Sequence, residues 1–387
     1  MTDAAREKAR MFAAWLDTLD ASAELVALSL ADAGDVEWQE ILSLLTEPLD
    51  TAAVSRTIAR AHGLLGRSPR DAQSLARLAL RMTRHLGPVC RDLPLIEGDA
   101  WRECAAAHLE MAEYADAYEA VAPARACYAR SKSSRLNAAV LSLIEGRTLF
   151  ELGRSAEALA AVDHGSSELL QCKADPKKYV QARTIYAGIL LGIGRYNDAL
   201  DVFTAAGDLA RQAGDRETLA YTLWNVGLCA AQLDDFGRAK RCFSSALEYF
   251  DRLGLRSEMP HVRAALVTIL RHQGRHKEAV SELFKIRAEF LSLQIPVAAA
   301  IASLRIVDVL LLSGRITDVP ALCEEMVKTF TAARLQKNLL RALAHLSQIA
   351  RQRQVATTDV TYVATFIELA QDDPHRSFPV PLESDQG

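Results

Sequence analysis

Breakers of regular structure are scarce in this chain. Only twelve of its 387 residues are proline, and aromatic side chains make up 6%. β-Branched residues are sparse beside Ala, Leu and Arg, which favours helix over strand at nearly every window. Cysteine occurs seven times (Cys90, Cys104, Cys127, Cys172, Cys229, Cys242, Cys323), an odd number, and never as C-x-x-C. A disulfide framework and a zinc site are both poor readings of that spacing, and buried thiols in a reducing compartment are the better one. No apolar run approaches the ~20 residues of a membrane span. The opening MTDAAREKAR mixes acids with bases, and no apolar signal core follows it. A cytoplasmic location is the expectation.

Catalytic signatures are missing as well. The chain holds no phosphate loop, no dinucleotide-binding glycine turn, no nucleophile elbow and no H-E-x-x-H helix. His272 and His276 have i, i+4 spacing, but Gly274 falls between them at a helix end, and no carboxylate completes a metal set. Paired acids such as Asp234-Asp235 read as solvated capping residues in turns. A net charge of −4 and a pI near 6.2 give no general affinity for nucleic acid. No catalytic residue, cofactor or metal is expected.

What the chain does contain is a repeat. Five segments share one phrase: LFELGRSAEAL, LLGIGRYNDAL, AAQLDDFGRAK, LRHQGRHKEAV and LLLSGRITDVP. Their turn positions, Gly153, Gly194, Asp234, Gly274 and Gly314, are separated by 41, 40, 40 and 40 residues, and stepping back 41 reaches Ala112 in LEMAEYADAYE. Five residues beyond each turn stands Ala117, Ala158, Ala199, Ala239, Ala279 and then Val319. A second junction recurs at Gly214, Gly254 and Gln294. Each unit is therefore two helices of roughly 15–18 residues joined by short turns. Glycine at the first turn suits the left-handed conformation that closes a helix. A bulky residue two later (Tyr114, Tyr196, Phe236, His276) plugs the wedge between the helices. The small Ala lets the second helix approach the first, and Gly146 and Gly227 occupy the matching point on the first helix. Phe203, Phe243 and Leu283 are the large core residues that follow.

This order of small and aromatic positions resembles the tetratricopeptide repeat (TPR) family, most closely over Asn225 to Phe250 (NVGLCAAQLDDFGRAKRCFSSALEYF) and strongly from about 99 to 330. The period departs from the usual 34 or so. Units of this length resemble those of bacterial peptide-sensing regulators and of the sensor arrays of signalling ATPases. The resemblance implies an all-α, right-handed superhelical solenoid of antiparallel helix pairs. The expected organisation is a helical cap or head over 1–50, a degenerate first repeat and loop over 51–98, and six units over 99–330. A terminal helix pair over 331–371 and a flexible tail over 372–387 complete it. Three amphipathic helices are read in the head, at Ala4–Leu19, Ser22–Ala33 and Val36–Thr46, with Asp35 as a cap for the third. The head covers the first hydrophobic face of the array. Its alternative as a DNA-binding element meets eleven Asp and Glu against five Lys and Arg in residues 1–60. The prolines of Gly87–Gly98 suggest the longest loop inside the array.

In a helix-pair solenoid the first helix of each pair lines the concave surface. Positions some 8 to 15 residues before the bulky turn residue select Arg102, Asp99, Arg147, Gln181, Thr184, Tyr221, Trp224, Asn225, His261, Thr268, Arg305 and Asp308. An asparagine there can bond both the C=O and N–H of an extended peptide, and the TPR resemblance implies that role for Asn225. Trp224 and Tyr221 offer anchoring area, while Arg147 and Arg305 suit acidic groups. A protein- or peptide-binding scaffold in a bacterial regulatory or signalling complex is the leading expectation. A peptide-sensing regulator, whose ligand changes the superhelix and the interactions of the head, is the alternative.

Overall fold

The computed structural model describes residues 3–19, 21–45, 47–86, 90, 92–332, 337–352 and 355–371. Among them are nineteen α-helices, one short 3-10 turn and no strand, and consecutive helices pack as antiparallel pairs in a TPR-like solenoid. The chain divides into two compact units, Met1–Ile193 and Gly194–Gly387.

The first unit opens with a three-helix head, α1 (Asp3–Thr18), α2 (Ala21–Ala31) and α3 (Asp35–Leu44). Phe12, Trp15, Leu30, Trp38 and Ile41 are buried in it, and their core continues into the next helices. Asp35 does not cap α3. It stands inside the first turn, where its charge suits the helix dipole, and Gly34 holds the cap position without a side-chain bond. The helix pairs α4 (Thr51–Leu64) and α5 (Pro69–Thr83), α6 (Leu93–Glu110) and α7 (Tyr114–Ala129), and α8 (Arg135–Glu151) and α9 (Ser155–Gln171) follow, and then α10 (Pro176–Gly192). The head is tied to the first pair by charge as well as by packing. Arg81 of α5 donates to the carbonyls of Leu30, Ala31 and Ala33 at the end of α2, and its guanidinium lies over the Trp38 ring at 5.0 Å. Arg60 grips Glu24 through two bonds of 2.6 and 3.1 Å.

The second half of the expected loop at 87–98 is helical instead. Pro94 sits in the first turn of α6, where a missing N–H costs nothing; residues 87–89 and 91 lie outside the described residues, as do 372–387.

The second unit contains α11 (Tyr196–Gln212), then the pairs α12 (Arg216–Gln232) and α13 (Phe236–Leu253), α14 (Met259–His272) and α15 (His276–Ser292), α16 (Pro296–Leu312) and α17 (Val319–Ala332), and α18 (Lys337–Arg351) and α19 (Thr357–Gln371). A 3-10 turn at Ile316–Asp318 precedes α17, whose Pro320 can only enter in the first helical turn. Seven helices, α8 to α12 with α15 and α16, are each 17 residues long.

The turns have one geometry whatever residue makes them. Gly153, Gly194, Gly274 and Gly314 have φ of 76°, 78°, 69° and 73°; Ala112 and Asp234 reach 59° and 60°. In most of them the residue after the corner donates its N–H back to the helix, as Asp235 does to Ala230 O at 2.9 Å and Arg315 to Leu310 O at 2.9 Å. That six-to-one bond satisfies a carbonyl the helix end would leave bare. Packing follows the repeat as well. Ala117, Ala158, Ala199, Ala239, Ala279 and Val319 are all fully buried, as are Phe243 and Leu283. A Cβ on Gly227 would meet the Phe243 ring at 2.6 Å, so glycine there is what lets α13 seat its phenylalanine. Burying such a ring contributes roughly 2–3 kcal/mol.

Candidate functional site

Three first helices of the second unit, α12, α14 and α16, frame a cavity of about 400 Å3. Trp224, Leu228 and Gln232 come from α12, His261, Ala264, Ala265 and Thr268 from α14, and Ala298, Ile301, Ala302 and Arg305 from α16; Phe243 and Phe290 close it from the second helices. The cavity exists because of a pattern across the repeats. Tyr221, Trp224 and Asn225 stand thirteen, ten and nine residues before the turn residue Asp234. The same positions are His261, Ala264 and Ala265 before Gly274, and Ile301, Leu304 and Arg305 before Gly314. Two alanines in the middle unit leave space where the flanking units carry larger side chains.

The wall is aromatic and mutually braced. The Trp224 ring lies 6.3 Å from Phe250, edge on, and 6.2 Å from His261, and His261 meets Phe290 at 4.6 Å. Tyr221 packs behind, 5.0 Å from Phe250, and burial together with Glu258 and Glu217 pushes its phenol pKa up. Burial pulls the His261 imidazole below 6.5, the positive charge of Arg305 adds to this, and Glu258 opposes it. The indole N–H of Trp224 is buried without a hydrogen-bond partner. Packing alone would be served better there by phenylalanine, since a buried donor left unbonded costs about 1–3 kcal/mol.

The structure thus brings Trp224, Thr268 and Arg305, with His261, around one cavity, and sets Tyr221 beside it. Asn225 is turned differently: its Nδ2 donates to the Tyr221 carbonyl of its own helix at 3.0 Å. Asp308 accepts from Arg271 at 2.7 Å. In the first unit, Thr184 donates to Val180 O at 3.0 Å within α10, and Arg147 pairs with Glu110 across an exposed 3.3 Å contact. Phe290, Ala265 and Ile301 escaped selection from the sequence. Ala265 stands one 40-residue period after Asn225 and Ile301 two periods after Tyr221, and that register could have found them.

Arg102 belongs to a polar cluster rather than to an open wall. Its guanidinium holds Glu103 through Nε and Nη2, at 3.1 and 2.7 Å, and Asp99 through Nη1 at 2.7 Å. Asp99 also accepts from Tyr128 at 2.7 Å and from Asn137 at 2.5 Å, while His62 Nδ1 lies 3.0 Å from Glu103. The Glu103 side chain is only 2% exposed. Burial pushes its carboxyl up, but the His62 bond and the charge and bonds of Arg102 outweigh that and hold it below 4.5. The bond to Glu103 raises His62 above 6.5, against its partial burial and the charges of Arg102 and Lys178.

One set of possible metal ligands occurs among the described residues: His108, Glu113 and Asp116 place ligating atoms within 4.8 Å of one another. His108 Nδ1 is 2.6 Å from Glu113 and its Nε2 is 3.0 Å from Gln73, so hydrogen bonding accounts for the arrangement. All seven cysteines are free, and burial pushes the Cys104 and Cys323 thiols up to about 12, out of the nucleophilic range. No described helix is long and apolar enough to cross a membrane.

Paired helices, left-handed corners and a small-residue seam at a 40-residue period define a TPR-like repeat protein. No protein-family model matches the chain, and no curated protein matches it in sequence. Solved structures do match in fold. A Rap protein complexed with competence and sporulation factor is 14% identical with a TM-score of 0.53, over 96% of this chain and 100% of that one. Aspartyl phosphate phosphatase F from Bacillus subtilis is 15% identical with a TM-score of 0.54, over 99% and 98%. A signal transduction ATPase with a tetratricopeptide repeat sensor from Pyrococcus horikoshii is 11% identical with a TM-score of 0.57; the match covers 90% of this chain but 52% of that one. At such identities the likeness is one of fold.

Proposed function

We propose that this protein is a binding scaffold rather than an enzyme, and that it holds a segment of another polypeptide against α12, α14 and α16. The cavity beside Trp224 carries the reading. The space left by Ala264 and Ala265, with the unbonded indole N–H of Trp224 beside it, is what a guest would fill. An aromatic wall beside a few polar groups is the usual make-up of a recognition site. Asn225 takes part by releasing its bond to Tyr221 when an extended backbone arrives. Arg305 and Thr268 supply polar contacts at the rim. A role in a bacterial regulatory or signalling complex draws support from the Rap and ATPase-sensor likenesses, and the head acts as a cap, supported by the core it shares with the first helix pair.

A photo-crosslinking amino acid placed at Thr268 in cells tests the proposal, with Ser281 on α15 as the control. A polypeptide adduct forms at 268 and not at 281. Equal labelling at both, or none at 268, removes the reading. The second reading, a receptor for a short diffusible peptide, draws on the full-length likeness to the Rap protein solved with competence and sporulation factor. An adduct of a few residues rather than of a whole protein distinguishes it.

A further inference from the structure

We infer that the cavity takes one large uncharged side chain of the bound segment, aromatic or branched aliphatic, and turns away lysine and arginine; the inference rests on the binding reading above. Its lining supplies the argument. The volume of about 400 Å3 is at the lower end of ordinary ligand pockets, room for one bulky side chain and its adjoining backbone. Leu228, Ile301, Phe243, Phe290 and the alanines give apolar surface, and no Asp or Glu is among the lining residues. The ionisable groups of the lining are His261 and Arg305 alone.

A lysine or arginine entering here would lose water without gaining a carboxylate, which a buried cation requires. The faces of Trp224 and Phe290 could attract a cation. That attraction competes with a like charge close enough to act on His261, and in a partly dried space the charge is the stronger influence. Glu258, just before α14, acts on His261 in the opposite sense and more strongly than Arg305 does, but it does not line the cavity.

Occupancy is consequently linked to protons. An apolar side chain dries His261 further and so favours its neutral ring. The charged groups facing that ring are Arg305 and Glu258; the other neighbours are Trp224 and Phe290. Affinity holds steady above pH 6.5 and falls in acid, by at most tenfold per pH unit, as one proton must leave on binding.

Random dodecapeptides displayed on phage, panned on the full chain and on two variants with a filled cavity, Ala265→Phe and Ala298→Leu, test this. Both alanines are half-buried, and circular dichroism identifies any variant that fails to fold, leaving the other. Peptides that share a large apolar residue, bind at least tenfold more weakly to a folded filled variant, and lose affinity below pH 6.5 support the inference. Arg305→Glu then admits basic residues that the natural chain rejects. Cavity-dependent peptides anchored by lysine or arginine overturn the inference and leave the binding reading standing. Peptides indifferent to both fillings, or no enriched peptide at all, overturn both.

Discussion

The same three positions of the repeat are used in opposite ways in the two units. Thirteen, ten and nine residues before Ala112 stand Asp99, Arg102 and Glu103; the same steps before Asp234 give Tyr221, Trp224 and Asn225. In the first unit these side chains satisfy one another and Tyr128, Asn137 and His62. In the second they leave rings around a cavity, and a donor without a bond. One backbone position can thus stitch neighbouring helices together or face a guest, and the choice depends on whether its polar atoms are already spent. Saturated charge ties helices together, whereas unfilled aromatic space is the feature on which the proposed recognition rests.

The largest test of that contrast is Arg102→Ala. It strands the buried Glu103 carboxylate and should cost about 3–5 kcal/mol, read from urea unfolding; the double variant Arg102→Met, Glu103→Leu should recover most of the loss. A cost below about 1 kcal/mol would make the cluster ornamental and erase the distinction. Next comes Gly227→Ala, which drives a methyl group into Phe243 and should destabilise by about 1–3 kcal/mol, seen as a lower Tm.

Trp224→Phe separates fit from function. Removal of the unbonded N–H offsets the lost ring area, so stability should shift by no more than about 1 kcal/mol, while binding of cavity-dependent peptides weakens roughly tenfold. A large loss of stability with unchanged binding would move Trp224 into the core. Ala112→Gly relieves a left-handed corner and should stabilise by about 0.5–1 kcal/mol, while Gly153→Ala should cost a similar amount; paired thermal melts measure both.

The smallest effect is that of pH on the polar cluster. The raised pKa of His62 gives stability that is fully present below 6.5 and is lost as pH climbs through its folded value. The lowered pKa of Glu103 gives stability present above 4.5 and lost as pH falls through its own. The cluster is therefore strongest between these two values, and His62→Ala should flatten the alkaline side of the profile.

The fold was legible because its instructions are local and repeated. Gly314 announces a corner by its chemistry, and Ala239 a close approach by its size. Lys173 carries no such mark, yet it turns at φ 50°, one period before Gly214. The proposed binding wall was harder to read. Spacing chose the helix face that carries Trp224, His261, Thr268 and Arg305, which line one cavity. It could not foresee that Asn225 bends back to Tyr221, that Asp308 meets Arg271, or that Arg102 is consumed by Asp99 and Glu103 of its own helix and by Tyr128 of the next. Side-chain partners from 26 to 41 residues away in sequence are invisible to periodicity.

The uniform 17-residue helices carry a consequence for how such a chain can change length. A helix turns about 100° per residue, so one deletion inside α12 would swing Trp224 away from His261 and Phe290 and rotate everything on the near side of the cut with it. Insertions at the corners escape that penalty, as does the gain or loss of an entire forty-residue block. Growth of this molecule is therefore quantised: it can be edited in modules or at its elbows, and hardly anywhere else.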